Sequence, residues 1–122
     1  MTTAKDIMTK RVVSTRPSRK VEEVTRVLYF HGISGLPVVD EEDRVIGMVT
    51  EADILGRTTG QDTIGDIMTS PVHTVAEDAP LEEIATLLTD RKIKRVPVVR
   101  EGKLVGVVSR ADVVRALASR RR

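Results

Sequence analysis

The sequence predicts an α/β chain of the α+β kind, one β-α-β-β-α unit written twice and packed about a pseudo-two-fold axis. Three observations carry this reading. Asp6-Ile7-Met8-Thr9 returns sixty residues on as Asp66-Ile67-Met68-Thr69. Ile33 to Val39 returns at the same offset as Ile93 to Val99, and residues 6–40 share 12 identities over 35 positions with 66–100. Beyond that the offset drops to 59, so that Gly47-Met48-Val49-Thr50-Glu51-Ala52-Asp53 matches Gly106-Val107-Val108-Ser109-Arg110-Ala111-Asp112. The lost residue falls in a polar turn, where little packing depends on length. Self-similarity at a fixed period is the mark of a duplicated unit.

Each copy reads the same way in order. A short apolar strand is expected at Val12-Val13 and at Val72. A helix follows, capped by Ser18 in one copy and Asp78 in the other, both residue types that accept a bond from a helix N–H. Pro80 suits the first turn, where no intrahelical partner is lost. The helix stripe is Val21, Val24, Val27, Leu28 against Leu81, Ile84, Leu87, Leu88, a spacing of three and four that marks one buried face. Pro37-Val38-Val39 and Pro97-Val98-Val99 are strands, a tight turn leads to strands around Val45 to Val49 and Leu104 to Val108, and a last helix begins at Thr50 or Ser109. The division is a first repeat at 1–56, a linker at 57–65, a second repeat at 66–119 and a basic tail at 120–122. A unit of about 50 residues buries too little surface to stand alone comfortably, so the copies are expected to pack together and enclose two related clefts.

Composition removes several function classes. The 122 residues hold 20 Lys and Arg against 18 Asp and Glu, a net charge of only +2. Nucleic-acid binding modules concentrate a larger excess, and a single Tyr and a single Phe offer little for base stacking. Without Cys there is no disulfide, thiolate metal site or thiol nucleophile. No apolar run spans a membrane and no signal-peptide pattern opens the chain, which points to a cytoplasmic location. No Gly-x-Ser-x-Gly elbow or Gly-Lys-Ser/Thr phosphate loop occurs, so no enzyme is indicated. His31 and His73 occupy unmatched positions with no motif around them. Asp40-Glu41-Glu42-Asp43 reads as an exposed hairpin tip, Arg120-Arg121-Arg122 as a solvated helix end, and Met8 and Met68 as packing residues.

The chemistry-bearing segment is the strand end, hydroxyl residue and helix start at Thr50 and Ser109. Free N–H groups at a helix start favour phosphate, an Asp one turn in accepts from a ribose diol, and the preceding glycine lets a ligand approach the backbone. Thr-x-x-Asp and Ser-x-x-Asp are equally the pattern of a capping box, which needs no ligand. Lys94-Arg95 precede the second copy's strand where the first has Ser34-Gly35. They offer phosphate charge, or stand as two solvated cations.

Asp-Ile-Met-Thr at each head, Leu/Val-Pro-Val-Val in each strand and Gly-x-Val-Thr/Ser-x-x-Asp before each last helix, in order and twice, resemble a tandem pair of CBS domains, a Bateman module, over about residues 4–118. The resemblance implies a non-enzymatic regulatory module that takes an adenosyl ligand (AMP, ADP, ATP or S-adenosylmethionine) and requires no other cofactor. By the same resemblance Asp53 and Asp112 bind ribose, Thr50 and Ser109 lie near phosphate or ribose, and Lys94 and Arg95 help hold phosphate. Thr50, Asp53, Lys94 and Arg95 then form the principal cleft, and Ser34, Gly35, Ser109 and Asp112 the second. A homodimer and a separate effector protein are the implied partners, while the small charge excess argues against nucleic acid and the lack of a long apolar run against a membrane. The competing reading is a ligand-free scaffold with degenerate clefts.

Overall fold

The computed structural model describes residues 1–120. In chain order its elements are α1 (Ala4–Ile7), α2 (Val21–His31), β1 (Gly35–Val39), β2 (Val45–Thr50), α3 (Glu51–Leu55), α4 (Ile64–Ile67), β3 (Val75–Ala76), α5 (Leu81–Asp90), β4 (Arg95–Arg100), β5 (Lys103–Ser109) and α6 (Arg110–Ala118). This is the mixed α+β content that the repeat predicts. The elements form two compact units, one of Val13–Val72 and one joining Met1–Val12 to the chain from His73 onward.

In the unit of Val13–Val72, β1 and β2 pair antiparallel, with Gly35 opposite Thr50 and a bulge at Val38/Val39. Its core is Val21, Val24, Leu28, Leu36, Val38, Val49 and Ile64, which includes three of the four stripe positions on α2, while Val27 packs at the edge. The helix closes on Gly32, whose left-handed φ of 63° lets the Ile33 N–H reach the Leu28 carbonyl at 3.1 Å. The unit containing His73 onward repeats the arrangement. β4 and β5 pair with Arg95 opposite Ser109, and Leu81, Ile84, Leu88, Val96, Val98 and Val108 form the centre of its core. Burial of a Val or Leu side chain contributes roughly 1.5–3 kcal/mol, so these stripes drive the packing of each helix on its sheet.

Two local expectations shift by a few residues. The leading strand lies at Val75–Ala76, parallel to β4, and not at Val72. In the other copy it shrinks to a single parallel bridge, Thr15 to Val38, and Val12-Val13 form no strand. The caps of α2 and α5 are Lys20 and Pro80, not Ser18 and Asp78. The cause is long-range backbone pairing. Val21 N–H donates to the Asp62 carbonyl and Leu81 N–H to the Thr2 carbonyl, both at 2.9 Å, with Lys20 bridged to Thr63 and Pro80 to Thr3. That pairing holds residues 20 and 80 extended, so the helices begin at Val21 and Leu81, two residues later than caps at 18 and 78 imply.

The partners in that pairing belong to the straps that carry Asp-Ile-Met-Thr. The strap of residues 62–69 packs on the unit of Val13–Val72, and the strap of residues 2–9 packs on the unit containing His73 onward. The compact units are therefore displaced by one strap from the repeats read in the sequence. Thr69 and Met48 exchange both backbone hydrogen bonds, at 2.8 and 3.0 Å, and Thr9 and Val107 do the same at 2.9 and 3.1 Å. The acidic tip is a solvated turn as expected, with Asp40 accepting from the N–H groups of Glu42 and Arg44. Arg120 reaches Glu82, while Arg121 and Arg122 lie outside the described residues.

Candidate ligand-binding site

Each unit ends its last strand on a hydroxyl residue and turns at once into a helix. Thr50 and Ser109 are extended, with ψ of 171° and 167°, and cap α3 and α6. Asp53 Oδ2 accepts from Thr50 N–H at 2.9 Å and from the Thr50 hydroxyl at 3.1 Å. Asp112 Oδ2 accepts from Ser109 N–H at 2.8 Å and from its hydroxyl at 3.0 Å. Both aspartates thus build capping boxes. A carboxylate has about four acceptor positions on two oxygens, so the cap leaves Oδ1 for other donors.

What occupies Oδ1 differs between the units, and the repeat did not reveal it. Asp53 Oδ1 accepts from the Thr69 hydroxyl at 3.3 Å. Asp112 Oδ1 accepts from Arg115 Nη1 at 3.1 Å, across one helical turn. Thr69 is the last residue of the repeated Asp-Ile-Met-Thr, and Arg115 stands three residues beyond its aspartate. Those spacings were the available signals.

Two expected features of the site are different. The helix starts are not open rows of N–H donors. Glu51 N–H donates to the Ser34 carbonyl and Arg110 N–H to the Lys94 carbonyl, both at 3.0 Å, and Asp53 and Asp112 N–H groups meet the capping hydroxyls at 3.4 and 3.2 Å. α3 is moreover only five residues long, which leaves it little macrodipole. The glycines before the hydroxyl residues serve the straps. A Cβ on Gly47 would sit 2.8 Å from Met68 Sδ and 3.0 Å from the Thr69 carbonyl, and a Cβ on Gly106 would meet the Met8 side chain and the Thr9 carbonyl. Met8 and Met68 are packing residues, and the glycines make room for them.

Strand register places the other candidates. Gly35 lies opposite Thr50, and Ser34 bonds the first residue of α3, so Ser34, Gly35, Thr50 and Asp53 are neighbours in one unit. Arg95 lies opposite Ser109 and Lys94 bonds the first residue of α6, which brings Lys94, Arg95, Ser109 and Asp112 together in the other. The expected principal grouping of Thr50 and Asp53 with Lys94 and Arg95 takes one pair from each unit. His31 and His73 are exposed. Among the described residues no group of three or more His, Cys, Asp or Glu is placed to hold a metal ion, and no helix is long and apolar enough to cross a membrane.

The CBS domain profile matches residues 4–59 and 64–119. Hypoxic response protein 1 of Mycobacterium tuberculosis is 32% identical over 123 residues, covering 96% of this chain and 86% of that protein. The crystal structure of the CBS domain pair of protein MJ0100 in complex with 5-methylthioadenosine and S-adenosyl-L-methionine superposes with a TM-score of 0.89 at 32% identity, covering 99% of each chain. CBSX2 of Arabidopsis thaliana, solved in complex with AMP, gives 0.89 at 34% identity over 97% of each chain.

Proposed function

This chain belongs to the CBS-domain family, and from that premise we propose that it is a non-enzymatic regulatory module that binds an adenosyl ligand and signals to a separate effector protein. AMP, ADP, ATP and S-adenosylmethionine are the ligand class. The observation that carries the reading is the twofold occurrence of a carboxylate, Asp53 and Asp112, pinned through one oxygen by its own cap and holding the other outside it. A ribose diol carries two O–H donors, and an ionised carboxylate is an acceptor-only partner for them. The complexes of the MJ0100 pair and of CBSX2 support the same class of ligand.

In this proposal Asp53 takes the ribose of the principal ligand, Thr50 lies on its phosphate side, and Lys94 and Arg95 supply charge to the phosphate. Asp112 and Ser109, with Ser34 and Gly35, serve a second ligand. The module works in the cytoplasm as a homodimer. Tyr29 and Phe30 support self-association, since they stand 81% and 78% exposed on α2 and pack edge to face with ring centres 5.6 Å apart, leaving apolar surface for a second copy to cover.

A thermal-shift screen with adenosine, AMP, ADP, ATP and S-adenosylmethionine tests the reading. A ligand at about a hundred times its dissociation constant stabilises by roughly 2.7 kcal/mol. A melting temperature unmoved by every member of the panel rejects the sensor and leaves the scaffold reading. Light scattering tests the dimer, which is rejected by monomer mass alone at high micromolar concentration with and without ligand.

A further inference from the structure

We propose that Arg115 determines ligand choice at Asp112: it holds the carboxylate while the site is empty, yields Oδ1 to the ribose, and then grips the ligand's anionic group. The site therefore prefers a phosphate-bearing adenosyl ligand over the bare nucleoside. The inference rests on the reading of Asp112 as a ribose acceptor.

Asp112 is only 8% exposed, and a buried carboxylate needs a compensating charge or several donors. Its Oδ2 accepts from Ser109, and Arg115 brings the opposite charge to Oδ1. The guanidinium is anchored one turn along α6, and its side chain is 69% exposed. The exposed guanidinium stays hydrated when it leaves Oδ1, while the buried carboxylate must be met by other donors. Diol hydroxyls that replace it on Oδ1 satisfy the carboxylate but leave the cation without its counter-charge. A phosphate on the same ligand restores the balance, and the forked donors of Arg match phosphate oxygens in pairs.

The first copy has no such device. The residue corresponding to Arg115 is Gly56, and the Asp53 Oδ1 partner is the neutral Thr69 hydroxyl. The residue after the capping hydroxyl differs in sign as well, with Arg110 at the start of α6 where α3 has Glu51. Arg110 Nε is held on the Ile93 carbonyl at 2.9 Å, whereas Arg115 Nη1 reaches Asp112 Oδ1 at 3.1 Å.

The test is calorimetric titration of the full chain carrying Asp53→Asn with AMP and with adenosine, at low and high salt. AMP is expected to bind at least about 10-fold more tightly than adenosine. Adding Arg115→Gln is expected to weaken AMP by about 10-fold, leave adenosine within about two-fold and flatten the salt dependence, while Arg115→Lys restores part of the AMP affinity. Equal loss for both ligands overturns the proposal, because a merely structural role for Arg115 gives that result, and so does no loss for either. If Asp53→Asn binds neither ligand while the parent binds AMP, Asp112 is not a ligand aspartate and this inference alone fails. If the parent binds neither, the adenosyl reading fails and takes the inference with it.

Discussion

Gly47 lies directly beneath Met68: a Cβ at residue 47 would stand 2.8 Å from the methionine sulfur and 3.0 Å from the carbonyl of Thr69. A side chain here must therefore push against the strap that crosses the strand. Gly47→Ala is expected to destabilise the protein by about 1–3 kcal/mol, the usual cost of overpacking. The flexible Met68 side chain can yield and the Thr69 backbone cannot, so Met68→Ala added to Gly47→Ala should recover only part of the loss. Denaturant unfolding of the two single variants and the double variant measures that coupling.

Lys92 occupies the left-handed position that Gly32 fills in the other copy, with φ of 54° against 63°. It sits there because the Ile93 N–H must reach the Leu88 carbonyl, at 3.2 Å, to close α5. A side chain in this region costs about 1–2 kcal/mol, and glycine returns part of that gain to the unfolded chain as entropy. Lys92→Gly is expected to stabilise by about 0.5–1 kcal/mol. A lowered melting temperature would contradict it.

Thr15 is buried and its hydroxyl has no hydrogen-bond partner among the described residues. The matching residue in the second copy is Val75. An unmade buried hydrogen bond costs about 1–3 kcal/mol, and valine has the same shape without the polar group. Thr15→Val should raise the unfolding midpoint, whereas Val75→Thr should lower it.

Acid should loosen the straps. The carboxyl of Asp6 is held below the usual aspartate range, first by the Thr3 N–H and then by the Thr3 hydroxyl, and Asp66 is held down the same way by Thr63. A carboxyl whose pKa is lower in the folded state contributes stability that is full above the unfolded value, about 3.9, and is lost as pH falls through the folded one. Melting temperature is expected to fall below about pH 4, and Asp6→Asn with Asp66→Asn should make that acid-side slope shallower. An unchanged slope in the double variant would exclude the straps as its source.

Asp53→Ala is expected to weaken an adenine nucleotide by about 10- to 150-fold, the worth of a hydrogen bond to a charged group. It also removes the α3 cap, at about 0.5–2 kcal/mol of stability, so folding is checked separately by melting. Arg95→Ala should weaken AMP more than adenosine, by a factor that shrinks in high salt. Calorimetry with both ligands reads these outcomes. Parent-like binding by Asp53→Ala, with binding abolished in Asp112→Ala, would transfer the principal site to Asp112.

The duplication, the α2 and α5 stripes, the strand pairs and the Thr50 and Ser109 helix starts could all be read from the chain, because each is a local pattern repeated at a fixed offset. Periodicity reports which face of an element is buried and a cap motif reports where a helix begins, and neither needs a distant partner. The sequence by itself thus determined the repeat, the family and the two aspartates that cap α3 and α6. Where the straps fold, and therefore where α2 and α5 begin, was decided by tertiary structure, because Thr2 and Asp62 bond through backbone groups that every residue possesses. The partners of the outer aspartate oxygens were hidden for a related reason. Thr69 meets Asp53 only once its strap has crossed β2, and the spacing of three between Asp112 and Arg115 allows their contact without fixing the rotamer that makes it. The purpose of Gly47 and Gly106 came from the same crossing, since a close approach between strands distant in sequence leaves no mark on the chain except the missing side chain.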